Sequence, residues 1–287
     1  MSSTRSNAAE LVSQLPDSDK PGAESKFTGP PPDLAWKLAI ELLDGGREAL
    51  LELIELISDG FGGGAGGYRA GYLLHCAALH AGRPGEEARR KLFVDAVASR
   101  LGSGGSPPGA QAFLVREIQA AGGEEAVEAL GKLLEDDGLC GQAAQSLVAI
   151  GGRSGARLRA ALPGRTGKSR MAVIQALGAL RDAESVAALR AAAKEPDPEA
   201  RIAAVWALAR SGDPAASDTV LAAADGAEGW ERIQAAKACL ILAERLVEAG
   251  NPSEARRIYS RIRETRKDPG ERYLLEAAER GLRMARV

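Results

Sequence analysis

The chain has 287 residues, of which 45% are apolar, 26% charged and only 4% aromatic. This composition is typical of a soluble, folded protein whose core is built from Ala, Leu, Val and Ile. The formal net charge of −2 at pH 7 lacks the basic excess that nucleic-acid-binding proteins usually carry. Cys76, Cys140 and Cys239 lie far apart in the sequence, so they predict no disulfide framework and are expected to be buried in helices.

The first part of the chain is polar and is followed by predicted helix pairs. Residues 1–33 are rich in Ser, Asp, Pro and Gly and predict a flexible tail, with one helical turn near Ala8. Residues 34–123 predict helical pairs with Gly-rich loops, the longest of which covers residues 61–67. No apolar run is long enough for a signal peptide or a membrane span, so we expect a cytoplasmic protein.

A unit of about thirty residues recurs over residues 124–229. Ala126-Val-Glu-Ala-Leu130 and Ser185-Val-Ala-Ala-Leu189 each begin a first helix, and a second helix follows each of them. Repeats of this period predict stacked helix pairs, because a single pair cannot bury its own apolar face.

Four Asp-Pro or Asn-Pro dipeptides predict helix starts. Asp or Asn caps the free amides of the first turn, and Pro suits the first helical position because its missing N–H costs nothing there. The four dipeptides are Asp197-Pro198, Asp213-Pro214, Asn251-Pro252 and Asp268-Pro269.

The stretch from Asp197 to Asp213 resembles the second helix of a HEAT-type repeat and is similar to the short repeats of phycobilisome lyase subunits. The residues that carry the resemblance are Asp197, Pro198, Arg201, Ala203, Ala204, Ala207, Leu208 and Gly212. The resemblance implies an all-α fold. We expect a right-handed α-solenoid, a superhelix of stacked antiparallel helix pairs.

Residues 230–287 depart from the HEAT-type pattern. A tetratricopeptide-like hairpin is expected from Leu246, Gly250, Asn251, Ala255, Tyr259 and Ile262. A last helix over residues 271–284 is expected to cap the array, with charged side chains on its outer face.

The candidate chemical motifs are weak. Residues 164–169 resemble half of a phosphate-binding loop, but Leu162 stands where the motif needs Gly, and a helix rather than a strand precedes it. His75 and His80 are five residues apart, which places them about 140° apart around a helix, a poor geometry for shared metal ligation. We therefore predict no catalytic, metal or cofactor site.

The better candidate site is a row of groove-facing positions on the second helices. Each second helix contributes two positions to this row. One is the residue before the paired Ala, and the other is the third residue after the first Ala of that pair. The row consists of Gln142, Ser146, Met171, Gln175, Ile202, Trp206 and Gln234, and it would continue at Ala238. It is uncharged, with Met171, Ile202 and Trp206 at its centre, which is typical of binding anchors. The alternative is that Trp206 folds into the core between repeats.

The leading hypothesis is a non-catalytic scaffold that binds a peptide or a partner protein in a concave groove. The family resemblance motivates an alternative, a lyase-like or enzyme accessory subunit that handles a tetrapyrrole or another small apolar ligand. A helical-repeat nucleic-acid binder is a second alternative, since basic residues cluster over 153–170 and 256–267. The oligomeric state stays open.

Overall fold

The computed structural model describes residues 7–16, 32–60, 65–102, 106 and 108–285. Across these ranges every regular element is an α-helix or a short 3-10 turn, which confirms the all-α prediction. Contacts divide the chain into an N-terminal unit, Met1–Arg157, and a C-terminal unit, Leu158–Val287. No helix within the described ranges has the length and apolar character needed to span a bilayer.

The N-terminal unit is a two-layer stack of helices. Its helices are α1 (Ala8–Ser13), α2 (Pro32–Asp44), α3 (Gly46–Gly60), α4 (Ala65–Ala81), α5 (Glu87–Ala98), α6 (Pro108–Ala121), α7 (Glu124–Leu133) and α8 (Cys140–Ile150). One layer runs through α2, α4, α6 and α8, and the other through α3, α5 and α7. Helix α9 (Ser154–Ala161) crosses the division between the units.

The C-terminal unit repeats this arrangement. Its helices are α10 (Gly167–Leu180), α11 (Val186–Ala192), α12 (Pro198–Ser211), α13 (Ser217–Gly226), α14 (Gly229–Glu248), α15 (Pro252–Thr265) and α16 (Arg272–Met284). Helices α10, α12 and α14 contact one another in sequence, while α11 packs on α12 and α13 on α14. Each unit therefore has the stacked helix pairs expected of an α-solenoid.

The second helices share a five-residue burial pattern: two buried residues, one more open residue, and two buried residues. In α12 it runs from Ala204 and Val205 through the half-buried Trp206 to Ala207 and Leu208. The pattern recurs in α4, α6, α8, α10 and α14, and its central residues are His75, Arg116, Gln145, Gln175, Trp206 and Lys237. This pattern sets which side chains each second helix turns away from the core.

Arginines near the starts of the second helices link neighbouring repeats of the C-terminal unit. Arg201 binds both oxygens of Glu231 at 2.8 and 2.9 Å, and its hydrogen bonds lower the pKa of that carboxyl group. Arg232 contacts Glu271 at 2.7 Å, and Arg170 pairs with Glu195. These three pairs are part of the packing between repeats.

The four predicted helix starts are present, three of them with a side-chain cap. Asp197 accepts a hydrogen bond from the Glu199 amide at the start of α12. Asp213 and Asp268 cap short 3-10 turns that lead directly into α13 and α16. Asn251 differs, because its amide nitrogen donates to the Ala249 carbonyl and its side chain does not cap α15.

Part of the predicted N-terminal tail forms a helix. Residues 7–16 include α1, whose Leu11 and Val12 are buried, and this helix contacts α3 and α4. Helix α1 lies where the sequence predicts a helical turn. Residues 1–6 and 17–31 of the tail lie outside the described ranges. Helix α2 begins at Pro32 and has Asp33 in its first turn.

The predicted Gly-rich loop over 61–67 is shorter than expected. Helix α4 already begins at Ala65, so its first turn contains Gly66 and Gly67. The remaining loop positions, 61–64, lie outside the described residues.

Candidate functional site

A pocket of about 410 Å³ opens between α10, α12 and α14 of the C-terminal unit. Its wall combines apolar side chains from all three helices with one charged residue of each sign. The lining residues are Met171, Gln175 and Gly178 of α10, Glu199, Ile202, Ala203, Trp206, Ala207 and Arg210 of α12, and Trp230 of α14. Two of the three tryptophans of the chain therefore line one pocket.

Close packing of α10 against α12 fixes one side of this pocket. A Cβ atom on Gly178 would lie 2.7 Å from Ala207 Cα, so only Gly allows this approach. Because the two backbones meet here without intervening side chains, the pocket wall is held by main-chain packing as well as by rotamers. This contact therefore sets the spacing of α10 and α12 in the wall.

Four of the predicted groove residues meet in this pocket: Met171, Gln175, Ile202 and Trp206. Trp206 is half-buried and lines the pocket, so it is not sealed into the core between repeats. The remaining predictions do not join this pocket. Gln142 and Ser146 belong to the N-terminal unit, and Gln234 is half-buried on α14 outside the pocket lining.

The predictions for Ser146 and Ala238 were wrong by one residue. Ser146 is 1% exposed and its hydroxyl donates to Gln119 Oε1 at 3.0 Å, and Ala238 is fully buried. The prediction treated the paired Ala as one fixed core position, but in α12 that pair begins one residue before the buried pair. The open positions in the other two helices are instead Gln145 and Lys237.

A signal in the sequence gives the correct register. Arg170, Arg201 and Arg232 are 31 residues apart and each makes the same kind of ion pair. Aligning the helices on these arginines places Met171, Ile202 and Ile233 in one row, and Gln175, Trp206 and Lys237 in the next. Repeated ion-pairing residues thus define the register better than repeated alanines do.

Six of the ten lining residues were not in the predicted row, and those with charged or aromatic side chains are Glu199, Arg210 and Trp230. Trp230 is 62% exposed in the first turn of α14, at the position that Glu199 holds one repeat earlier. Glu199 and Arg210 lie on the same face of α12 as Ile202 and Trp206, at helical spacings of three and four residues. Extending that face to both ends of the helix could have found them.

A second pocket, of about 300 Å³, lies in the N-terminal unit. It is lined by Ile57, Gly67, Tyr68, Gly71, Tyr72, His75 and Phe113. The rings of Tyr68 and Tyr72 stack with centroids 6.4 Å apart. His75 holds the repeat position that Trp206 holds in the C-terminal unit.

A buried carboxyl group lies next to this second pocket. His75 Nδ1 is 2.8 Å from Glu117 Oε2, and Glu117 is only 4% exposed. Burial raises the pKa of Glu117, although its hydrogen bond with His75 acts in the opposite direction. The pocket is therefore lined by aromatic rings, and the carboxyl group of Glu117 beside it is hydrogen-bonded to His75 of the pocket wall.

The candidate histidines and cysteines are accounted for by packing and ion-pair contacts. His80 contacts Glu86 and the Trp36 ring, so the two histidines have different partners. All three cysteines are free and buried, and burial raises the pKa of Cys239 to about 12. Within the described ranges no cluster of three His, Cys, Asp or Glu residues is arranged to hold a metal ion.

The phosphate-loop-like segment also starts a helix. A 3-10 turn over Leu162–Gly164 includes the first residue of the segment, and α10 begins at Gly167.

Several residues of the two basic clusters form ion pairs between helices. Arg257 contacts Asp218 at 2.7 Å, and Arg261 contacts Asp225 at 2.9 Å. Arg266 is buried and donates to the Ala224 carbonyl at 2.5 Å. In the other cluster Arg159 pairs with Asp182 and Glu184, and Arg170 with Glu195.

Residues 156–241 match the family model described as HEAT repeats. These residues form HEAT repeats. The matched segment contains α10 and α12 and extends into α14, so the pocket is built on HEAT-repeat helices. The tetratricopeptide-like assignment of the hairpin after it stays a prediction.

The chain is also similar to several solved structures. The complex of CpcE and CpcF of phycocyanin lyase from Nostoc sp. is 16% identical, with a TM-score of 0.40, over 93% of this chain and 99% of that chain. Human deoxyhypusine hydroxylase in complex with glycerol is 17% identical, with a TM-score of 0.33, over 83% and 96%. A designed armadillo repeat protein in complex with the peptide (KR)4 is 17% identical, with a TM-score of 0.30, over 96% and 100%.

No curated protein sequence matches the chain at a significant level. The identities and TM-scores of the structural neighbours are too low to transfer any function.

Proposed function

We propose that the chain is a non-catalytic interaction module that binds a peptide segment of a partner protein in the pocket of the C-terminal unit. The observation that carries this proposal is the meeting of Trp206, Trp230, Met171 and Ile202 in one pocket. Exposed apolar side chains gathered in a concavity are a common feature of interaction sites.

The energetics favour a peptide ligand. Large aromatic side chains in well-packed pockets supply most of the binding free energy at protein interfaces. The packing of Gly178 on Ala207 holds α10 and α12 together, so the backbones of these two helices need little reordering when a ligand binds. Trp230 is 62% exposed, and its apolar surface would be removed from water only when a partner covers it.

The charge distribution gives less support to a nucleic-acid ligand. Binding to a phosphate backbone depends on Lys and Arg side chains that are free to neutralise it. In this protein Arg257 and Arg261 form ion pairs with acidic residues, and Arg266 is buried. The basic clusters therefore contribute to helix packing.

Peptide display against the purified chain tests the proposal. Peptides selected on the wild-type protein are counter-selected against Trp206→Ala, and the affinity of the enriched peptides is measured by fluorescence anisotropy. We expect Trp206→Ala to weaken binding by about 2 kcal/mol, or about 30-fold, as a truncated hot spot does.

Met284→Ala is the matched control, because Met284 is an exposed apolar residue outside the pocket lining. It should leave the affinity unchanged, and circular dichroism should show equal helicity for all three proteins. Peptides that bind Trp206→Ala as tightly as wild type would contradict the proposal.

A second candidate function is the binding of a small apolar ligand, which the aromatic pocket of the N-terminal unit favours. Tyr68, Tyr72 and Phe113 would contact such a ligand. Biliverdin and anilinonaphthalene sulfonate are suitable probes, read by visible absorbance and by fluorescence. A signal that Phe113→Ala abolishes and Trp206→Ala retains would support this role, and the absence of any signal would remove it.

A further inference from the structure

One face of α12 carries a charge of opposite sign at each end. Glu199 lies in the first turn and Arg210 in the last, with Ile202 and Trp206 between them, and all four line the pocket. Arg210 lies eleven positions after Glu199, a distance of about 16 Å along the helix axis. The pocket is therefore acidic at one end, apolar in its middle and basic at the other end.

Both charges are free of ion pairs within the described part of the chain, whereas the arginines next to the groove row are paired. Arg201 is engaged by Glu231 and by the carbonyls of Glu195 and Pro196. Residues of these signs also suit the ends of the α12 dipole. The helix dipole accounts for the signs of the two charges, but it does not occupy their hydrogen-bonding atoms. Both side chains can therefore bind a charged ligand group.

The next helix, α14, reinforces the acidic end of the pocket. Trp230 follows Glu199 by 31 residues and lines the same pocket, so a carboxylate and an indole occupy matching positions on adjacent helices. A cation is stabilised both by a carboxylate and by an aromatic face. Lys237, which follows Trp206 by the same 31 residues, is outside the pocket lining and has its ammonium 5.9 Å from the centre of the Tyr273 ring. The positive charge of the second end therefore comes from Arg210.

We propose that the bound peptide carries a basic side chain at the Glu199 end and an acidic side chain at the Arg210 end, on either side of its apolar anchor. This inference rests on the proposed peptide-binding function. In an extended peptide, side chains two positions apart point to the same face. Basic, apolar and acidic residues at alternate positions span about 13 Å, and their flexible side chains reach the remaining distance.

A dense peptide array tests this charge order. The probes share the core X-Ser-Phe-Ser-X, in which the two X positions carry Lys and Glu, two Lys, two Glu or two Ser. Binding of fluorescent protein is measured for wild type, Trp206→Ala, Arg210→Glu and Glu199→Lys. Arg256→Glu is the matched control, since it makes the same charge change on an exposed face of α15 outside the pocket.

We expect wild type to bind the Lys/Glu peptide about tenfold more tightly than the peptides with two like charges. Arg210→Glu should prefer the peptide with two Lys, and Glu199→Lys the peptide with two Glu, while Arg256→Glu should behave as wild type. These exchanged preferences would assign each end of the peptide to its residue.

The two hypotheses fail in different ways. Equal binding of all four peptides, with loss in Trp206→Ala, would overturn the charge order and leave the peptide-binding function standing. No binding to any peptide, or binding that Trp206→Ala does not change, would overturn the peptide-binding function itself.

Discussion

The pocket lined by His75 in the N-terminal unit and the pocket lined by Trp206 in the C-terminal unit lie at the same position of the repeat, but they differ in chemistry. His75 and Trp206 are both the central residue of the five-residue burial pattern, and each lines the pocket of its own unit. In the N-terminal unit the nearest carboxyl group, Glu117, is buried and bonded to His75. In the C-terminal unit Glu199 and Arg210 lie on the pocket wall.

This difference shows which positions of the repeat specify a fold and which specify a ligand. The four buried positions of the pattern hold residues of restricted size, because neighbouring helices pack on them. The central position holds His, Arg, Gln, Trp or Lys in different helices, so packing does not constrain it in the same way. Function in such an array can change at this position without a change of fold.

The largest expected effect comes from placing Leu at a buried position of the pattern, compared with placing Leu at the adjacent open position. Ala238→Leu should destabilise the C-terminal unit by about 3 kcal/mol, because it inserts three carbons into a packed core. Lys237→Leu, at the adjacent open position, should change the free energy of unfolding by no more than about 0.5 kcal/mol. Urea unfolding measures both values.

The same comparison applies to the N-terminal unit. Ser146→Leu should be strongly destabilising and Gln145→Leu nearly neutral, because Ser146 is buried and bonded to Gln119. Equal costs at the two positions of either pair would show that the burial pattern does not hold in that helix.

Glycine-to-alanine substitutions in the two pockets should change the free energy of unfolding by intermediate amounts and with opposite signs. Gly178→Ala should cost about 1–3 kcal/mol, because the new Cβ would lie 2.7 Å from Ala207 Cα. At Gly71, in the N-terminal pocket, a Cβ would lie 3.6 Å from Phe113 Cζ, an ordinary contact distance. Gly71→Ala should therefore stabilise its unit by about 0.5–1 kcal/mol through helix propensity alone.

Tryptophan fluorescence distinguishes the units in this experiment. With Trp36→Phe the remaining tryptophans report on the C-terminal unit, and with Trp206→Phe and Trp230→Phe only Trp36 reports on the N-terminal unit. A Gly178→Ala protein as stable as wild type would mean that α10 and α12 are not held at close backbone contact.

The sequence predicted the helix pairs well because their signals are local. Repeat length, Asp-Pro starts and apolar spacing all act within one helix pair, and the structure bears them out for α12 and its neighbours. Four of the predicted groove residues line the pocket of the C-terminal unit, because the Ala-based spacing coincides with the burial pattern in α10 and α12. The exposed Trp230 was missed, since its role depends on which residues α12 places beside it.

The register errors have a different origin. Alanine is small enough for both buried and half-buried positions, so the Ala pairs of α8, α12 and α14 do not mark one site. The buried Glu117 illustrates the same limit, because it occupies a core position that holds Ser146 in α8 and Ala207 in α12. No spacing rule predicts a carboxyl group there. Its burial depends on His75 from another helix.

The smallest expected effect is a pair of pH dependences of opposite sign. Burial raises the pKa of Glu117 above its ordinary value of 4.5, so ionisation costs the folded N-terminal unit free energy. This cost is absent below the ordinary pKa and grows as the pH rises through the folded value. Glu117→Gln removes it, and should raise the free energy of unfolding at pH 7 by no more than about 1 kcal/mol.

Glu231 should show the opposite behaviour. The hydrogen bonds from Arg201 lower its pKa, so the ionised carboxylate stabilises the folded state above a pH of 4.5, and this contribution is lost as the pH falls through the folded pKa. Glu231→Gln should therefore destabilise the C-terminal unit at pH 7, and by a smaller amount at about pH 3. Urea unfolding of both variants at the two pH values checks the signs. A loss of stability at pH 7 in both would mean that the His75 contact outweighs the burial of Glu117, and that this carboxyl group stabilises its unit as an ion.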